Sequence, residues 1–340
     1  MPEITQHILV IRLSAMGDAA MSVPVLRALT RQYPHLKITV LTKAFFKPIF
    51  KNINNVSVVI ADVKGKHKGV FGLYKLARQL NNASKFYAVA DLHNVLRSQL
   101  LKTFLRCRRT ITLNKGRKEK QALIKGKIFQ PLKTTHQRYA DVFEKLGFPI
   151  DLSKPNFPDK RILSKKSQSL LGNSTQKLLG IAPFAAHKGK MYPLDLMQEV
   201  INELSKDYKI VLFGGGDDEI QRLNAIVKEN KNVVSIAGKV SFEEQIDIVS
   251  NLDLMLSMDS GNAHVAAMFG VKVITIWGVT HPYAGFAPFN QPEDYALLSD
   301  RNEYPKIPTS IFGNKCPENY LEASRSIMPK TVIEKIRAVI

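Results

Sequence analysis

Apolar positions in the first 150 residues come in short unbroken runs, separated by stretches of longer period. Residues 8–11 (ILVI) form one such run, the pattern of a strand covered on both faces in a parallel sheet. Comparable runs predict strands at 38–42, 56–61 and 87–91, and helical spacing predicts helices over 70–80, 95–106 and 136–146. After the first strand, Val25, Leu26 and Leu29 recur at helical spacing, with Ser22 read as the N-cap and Pro24 as part of the first turn. The alternation pauses at 148–159, which holds Pro149, Pro155 and Pro158, and again at 163–176, rich in Ser, Lys and Asn. It then restarts, with strands expected at 178–182, 210–213, 233–236, 254–257 and 273–277. Helices are expected between them at 195–204, 217–229, 242–250 and 263–269.

Strands separated by helices predict βαβ units and a parallel sheet. The expected class is therefore α/β, with two Rossmann-like doubly wound domains at 1–155 and 177–328 joined by a linker at 156–176. A closing helix at 329–340 has the option of packing back on the first domain. Ligands in such folds sit at the carboxyl ends of the strands, so the expected site is a central cleft faced by both domains.

Those strand ends carry the candidate chemistry. The first strand runs into Arg12-Leu13-Ser14-Ala15-Met16-Gly17-Asp18, where Gly17 allows a tight turn and Asp18 follows it. An ionised carboxylate there can take a proton from a hydroxyl, and equally it can cap the helix that follows. A dinucleotide fingerprint needs three spaced glycines at this turn, and only one is present. After the strand at 178–182, Lys190 stands in a loop before a helix, placed to neutralise a diphosphate or simply to sit in solvent. Gly214-Gly215-Gly216 lets a ligand approach the backbone. Asp218 and Glu219 after it suit ribose hydroxyls or the first turn of a helix. The block Ser257-Met258-Asp259-Ser260-Gly261-Asn262-Ala263-His264 ends a buried strand and opens a helix. Its free N–H groups, with Ser260, Gly261 and Asn262, form a candidate phosphate site. His264 lies within reach of the same anion or serves the core, and Asp259 suits sugar hydroxyls. No metal-ligand spacing is present, and Cys107 and Cys316 form no redox pair, so neither metal nor cofactor is expected.

Charge adds a partner. With 49 Lys and Arg against 29 Asp and Glu, the chain carries +20 and calls for a polyanion. The segment 97–138 holds thirteen basic residues and one acid, Glu119. No aromatic residue interleaves the basic run at 115–127, which argues against a nucleic-acid platform. The N-terminus lacks the pattern of a signal peptide, and no run approaches a bilayer span, so a cytoplasmic protein is expected.

Three blocks then carry a family resemblance: 8–29 (ILVIRLSAMGDAAMSVPVLRAL), 91–98 (DLHNVLRS) and 257–278 (SMDSGNAHVAAMFGVKVITIWG). The chain resembles the heptosyltransferases of glycosyltransferase family 9, which build the lipopolysaccharide core from ADP-heptose. The resemblance implies a GT-B fold and inverting transfer without a metal, with Asp18 as general base. It implies donor phosphate contacts from Lys190, in a Lys-x-Trp-Pro-like motif, and from the Asp-Ser-Gly-x-x-His block of Asp259, Ser260, Gly261 and His264. Asp218 or Glu219 falls near an acid that holds the nucleotide ribose.

His93, Arg97, Lys115, Arg117, Lys118 and Lys120 are the candidate contacts to an anionic glycolipid acceptor. Such an acceptor implies peripheral work on the cytoplasmic face of the inner membrane; a monomer is expected, with no specific nucleic acid. Ala185, Ala186, Asn94 and His281 depart from the family's pattern and bear on which sugar is used. Two other readings are an epimerase of sugar nucleotides on the same fold and a nucleic-acid-binding protein using the basic segment.

Overall fold

The computed structural model describes residues 6–340; the first five, part of the stretch read as lacking a signal peptide, lie outside the described residues. The chain divides into two compact units. One takes residues up to 117 together with 133–157, and the other takes 118–132 together with 158–340.

The first unit is built on a parallel sheet of β1 (His7–Ile11), β2 (Lys37–Thr42), β3 (Val56–Ile60), β4 (Ala88–Asp91) and β5 (Thr110–Thr112), in the order β3-β2-β1-β4-β5. The order reverses direction beside β1, so β1 and β4 end next to each other at the point where an open sheet of this kind holds its ligands. Ile8 pairs with Ala88 and Ile11 with Asp91, which sets the register there. The helices are α1 (Met16–Gln32), α2 (Gly69–Ala83), α3 (Leu96–Phe104), α4 (Arg117–Ile124), which reaches into the second unit, and α5 (Thr135–Lys145).

Helix α1 begins six residues ahead of Ser22, the expected cap. Every residue from Ala19 to Leu26 is buried, so the first half of the helix shows no polar stripe and its start is hidden in the sequence. Ser22 instead bonds back to the Ala19 carbonyl at 2.7 Å, and Pro24 lies within the helix.

The second sheet runs β11-β10-β9-β6-β7-β8, all parallel. Its strands are β6 (Leu178–Ala182), β7 (Lys209–Leu212), β8 (Val233–Ser235), β9 (Leu254–Met258), β10 (Lys272–Trp277) and β11 (Ala296–Leu298). Helices α6 (Lys165–Leu171), α7 (Leu194–Leu204), α8 (Asp217–Lys228), α9 (Phe242–Val249), α10 (Gly261–Ala267) and α11 (Pro329–Val339) complete it. Strands β6 and β9 are neighbours, so the loops carrying Lys190 and Asp259 leave adjacent strand ends.

Three expectations change. Residues 165–171, within the expected linker, form α6, capped by Ser164 and anchored by Ser167 and Leu171. The closing helix α11 packs on α7 of the second unit, where Val332 and Ile336 are fully buried in that unit's core. The amphipathic face of α11 is thus buried within the second unit. Residues 118–132 group with the second unit, because Leu123 and Leu132 share a cluster with Ala284, Tyr283, Phe286 and Ile311.

Candidate active site

In the first unit, Asp18 stands at the third position of α1 and its carboxylate accepts the Ala15 N–H at 3.2 Å. It therefore holds the start of the helix. The same carboxylate pairs with Arg12, whose side chain is 5% exposed while that of Asp18 is 29% exposed. Arg12 is fixed from two further sides. Its Nη1 donates to the Leu92 carbonyl at 2.5 Å, and its guanidinium lies 5.8 Å from the centre of the Tyr139 ring. Tyr139, wholly buried on α5, donates its hydroxyl to Asp18 Oδ1 at 3.4 Å, and burial pushes that phenol well above its ordinary range. Both oxygens of Asp18 thus have partners, Oδ2 the Ala15 N–H and Arg12 and Oδ1 the Tyr139 hydroxyl, while the side chain keeps 29% of its surface open to solvent.

Beside it, Asp91 ends β4 fully buried. It accepts the N–H groups of His93 and Asn94 and the Ser98 hydroxyl, at 3.0, 2.9 and 3.0 Å, and pairs with Lys102 at 2.8 Å. Four donors on one carboxylate lock the turn that carries His93. His93 Nε2 lies 3.1 Å from Ser14 Oγ. Burial first, then Arg12 and Lys115, pull its imidazole down to about 4, so it is neutral at neutral pH. Lys115 is lowered by burial and by Arg12 and Arg117.

His93, Arg97, Lys115 and Arg117 belong to the first unit, with Arg97 and Arg117 exposed, whereas Lys118 and Lys120 belong to the second. Lys120 is a correction: it is buried, its ammonium 4.0 Å from the centre of the Phe286 ring, because α4 turns that face toward the second unit's apolar cluster.

In the second unit, Lys190 closes a 3-10 turn (Lys188–Lys190) and pairs with Asp259 at 2.8 Å. Asp259 Oδ2 also accepts the Thr280 hydroxyl at 2.9 Å. Thr280 was not singled out from sequence; its only signal is its place just after the end of β10. The turn is pinned from beneath, where Val279 N–H donates to the Gly189 carbonyl at 2.8 Å. A side chain at Gly278 would meet that carbonyl at 2.1 Å, so only glycine fits there. Tyr192, where the family's motif has tryptophan, is fully buried and donates its hydroxyl to the Ile327 carbonyl at 2.6 Å.

The remaining donor-site candidates hold other partners. The Ser260 hydroxyl lies 3.0 Å from that of Ser257 and makes no cap bond to α10. Gly261 opens α10, the Asn262 carbonyl oxygen accepts from Gln245 at 3.3 Å, and His264 is buried one turn on. Gly215 N–H donates to Glu219 at 2.7 Å, so this acid folds back over its own glycine loop. Asp218 pairs along α8 with Arg222 at 3.0 Å. His281 is buried against Phe129 and Tyr283, with ring centres 5.0 and 4.3 Å away, and its Nδ1 accepts the Tyr283 N–H at 3.2 Å. Burial, then Arg301, pulls it down to about 4. Among the described residues no three His, Cys, Asp or Glu side chains group as metal ligands, and no helix is long and apolar enough to cross a membrane.

Each of the two parallel sheets thus carries an Asp–cation pair beyond its strand ends. The family model for glycosyltransferase family 9 (heptosyltransferase) matches residues 73–314, well over half of the chain. The chain belongs to glycosyltransferase family 9. It is 24% identical to the lipopolysaccharide core heptosyltransferase OpsX of Haemophilus influenzae, over 88% of this chain and 86% of that one. A glycosyl transferase family 9 crystal structure from Veillonella parvula superposes with a TM-score of 0.77 at 21% identity, covering 100% of this chain and 98% of the other. The Escherichia coli heptosyltransferase WaaC with ADP gives 0.69 at 16% identity, covering 98% and 100%. The two Rossmann-like units are thus those of a GT-B glycosyltransferase, and the enzyme is a transferase of the family 9 kind. The epimerase and nucleic-acid readings lose their support.

Proposed function

We propose that this family 9 transferase moves heptose from ADP-heptose onto an anionic glycolipid of the lipopolysaccharide core, inverting the anomeric centre without a metal. The observation that carries the reading is the asymmetry of the Asp18–Arg12 pair, with the cation buried and the carboxylate open to an incoming hydroxyl. Asp18 takes the proton of the acceptor hydroxyl as its oxygen bonds to the anomeric carbon, and the bond from that carbon to the diphosphate breaks, its electron pair leaving with ADP. Arg12 holds the Asp18 carboxylate in place before that transfer. Lys190, released from Asp259 when donor binds, neutralises the departing diphosphate as a point charge. Asp259 and Thr280 are then free to meet sugar hydroxyls, and the α10 start with Ser260, Gly261, Asn262 and His264 lies along the phosphates. Gly215, Asp218 and Glu219 serve the ribose side.

The names of the curated relatives and the ADP carried by the WaaC structure support the choice of sugar and nucleotide. His93, Arg97, Lys115, Arg117 and Lys118 are proposed to meet the acceptor's anionic groups, the enzyme working as a monomer against the cytoplasmic face of the inner membrane. The test is product analysis with purified enzyme and a panel of ADP-, UDP- and GDP-sugars. Transfer is expected with ADP-heptose alone, unaffected by chelator. Transfer from only a non-adenine donor would remove the heptose assignment, and a folded Asp18→Ala enzyme with near-normal turnover would remove the base.

A further inference from the structure

Apolar side chains normally leave the surface of a helix, yet two in the first unit stand almost wholly in water. Phe71 and Leu96 are each 85% exposed, and Val70 beside Phe71 is 53% exposed. Neither helix lacks a core contact that would explain this. The inner face of α2 buries Leu73, Leu76, Ala77 and Leu80, and α3 buries Leu101. Phe71 and Leu96 therefore project on the side opposite the core, at the very start of their helices.

Both starts fall at the same edge of the sheet. Helix α2 follows β3 and α3 follows β4, both strands of one parallel sheet, so both helices begin at its carboxyl edge. They are tied side by side: Asn81 donates to the Phe104 carbonyl at 3.0 Å and accepts the Arg106 N–H at 2.9 Å, and the Tyr74 and Phe104 rings meet 5.6 Å apart. The loop leading into α2 is folded by Asp62, whose carboxylate accepts the Gly65 and Lys66 N–H groups at 3.0 and 3.1 Å. That fold leaves Lys64, Lys66 and Lys68 exposed around Phe71. From Lys64 to Arg117 the chain holds thirteen Lys and Arg and a single acid, Asp91, which is buried and paired with Lys102. The exposed Asp62, two residues before Lys64, sets one negative charge against the three lysines, its carboxylate turned onto the Gly65 and Lys66 N–H groups.

We propose that the first turns of α2 and α3 form a membrane-docking patch that inserts Phe71, Val70 and Leu96 into the interfacial region of an anionic phospholipid bilayer, with Lys64, Lys66 and Lys68 on its headgroups. Exposed apolar tips ringed by lysines combine the two terms that hold an interfacial protein, apolar burial and attraction to anionic lipid. Aliphatic Leu96 and Val70 offer no face for a nucleic-acid base to stack on and no donor to read one. The proposal deepens the membrane contact proposed above and is independent of which sugar is transferred.

Flotation of the full chain with vesicles tests it. The protein is expected to float with phosphatidylcholine vesicles containing phosphatidylglycerol and to stay behind with phosphatidylcholine alone. The Phe71→Ser and Leu96→Ser double variant is expected to lose binding by roughly tenfold for each side chain, at its unchanged Tm, since both residues are exposed. Its turnover on a delipidated, water-soluble acceptor should equal that of the unsubstituted enzyme. Binding by the double variant equal to that of the parent would overturn the patch while leaving the membrane contact standing. Failure of the parent itself to float with either vesicle would overturn both. Loss of turnover on the soluble acceptor would also overturn the proposal, by making the patch part of the acceptor site.

Discussion

Each unit of the protein pairs an aspartate with a cation at the carboxyl end of its sheet, and the two pairs are built in opposite ways. In the first unit the cation is the fixed member. Arg12 is held by a backbone carbonyl and an aromatic ring, so its charge cannot follow a ligand, and Asp18 is left facing solvent. In the second unit the aspartate is buried and the cation is a half-buried lysine with one long stem and one partner carboxylate. A guanidinium held in a fork is a fitting; an ammonium on a flexible chain is a contact that can be exchanged. The difference assigns the first pair to holding a carboxylate ready, and the second to releasing a cation when a more highly charged anion arrives.

The largest expected effects come from breaking each function separately. Asp18→Asn is expected to lower kcat by about 10²–10⁴-fold with the donor KM unchanged. Lys190→Ala should lower kcat by about 10²–10³-fold and raise the donor KM as well. Steady-state kinetics with both substrates varied would show whether the two variants separate in this way; parallel changes in donor KM would undo the comparison.

Stability should rank the pairs in the other direction. Lys190→Met leaves the buried Asp259 with Thr280 alone, and a cost of about 3–5 kcal/mol is expected from urea titration. Arg12→Met leaves Asp18 with solvent, the Ala15 N–H and the Tyr139 hydroxyl, so its cost should be lower, about 1–2 kcal/mol.

Acid should weaken both units, the first most through His93 and the second through His281. His93 and His281 are pulled to about 4 in the folded chain, while an unfolded histidine titrates near 6.5. Between those values the unfolded chain binds protons that the native one refuses, so stability is intact at neutral pH and falls as pH drops from about 6.5 to about 4. The loss is of the order of 1–3 kcal/mol for each histidine. His281→Gln should remove its share of the slope when unfolding is compared across that window.

The last effect expected is the most local. Gly313 has φ +72°, and a Cβ on it would meet Lys190 Cγ at 2.4 Å. Gly313→Ala should therefore cost about 1–2 kcal/mol and raise the donor KM, leaving acceptor KM as it was.

Much of this was legible in the residue order. The run ILVI at 8–11 and its counterparts announce strands because both faces are covered, and Asp18 and Asp259 stand out because each follows closely on such a run. The strands at 110–112 and 296–298 went unread, being three residues each, with only one of the six buried. Helix α1 hid its start for the opposite reason, since a first half buried all round has no stripe. The partners of the site side chains were the least accessible. Tyr139 reaches Asp18 across 121 positions and Thr280 reaches Asp259 across 21, distances that only the fold closes. Lys120 looked like one more surface charge because nothing in a basic run distinguishes the lysine that lies on a ring.

The grouping of residues 118–132 with the second unit bears on how the protein is made. Leu123 and Leu132 leave the ribosome long before Tyr283, Ala284 and Ile311, the residues that cover them. Until those are synthesised, the early part of the chain carries an apolar arm with no core to enter, while the strands on either side of it can already pair. A fragment ending at residue 155 would keep that arm exposed for good, and a fragment starting there would lack the arm that covers Ala284. Neither half of this enzyme is obtained by a single cut, and nascent chains stalled before residue 283 should be its most aggregation-prone species.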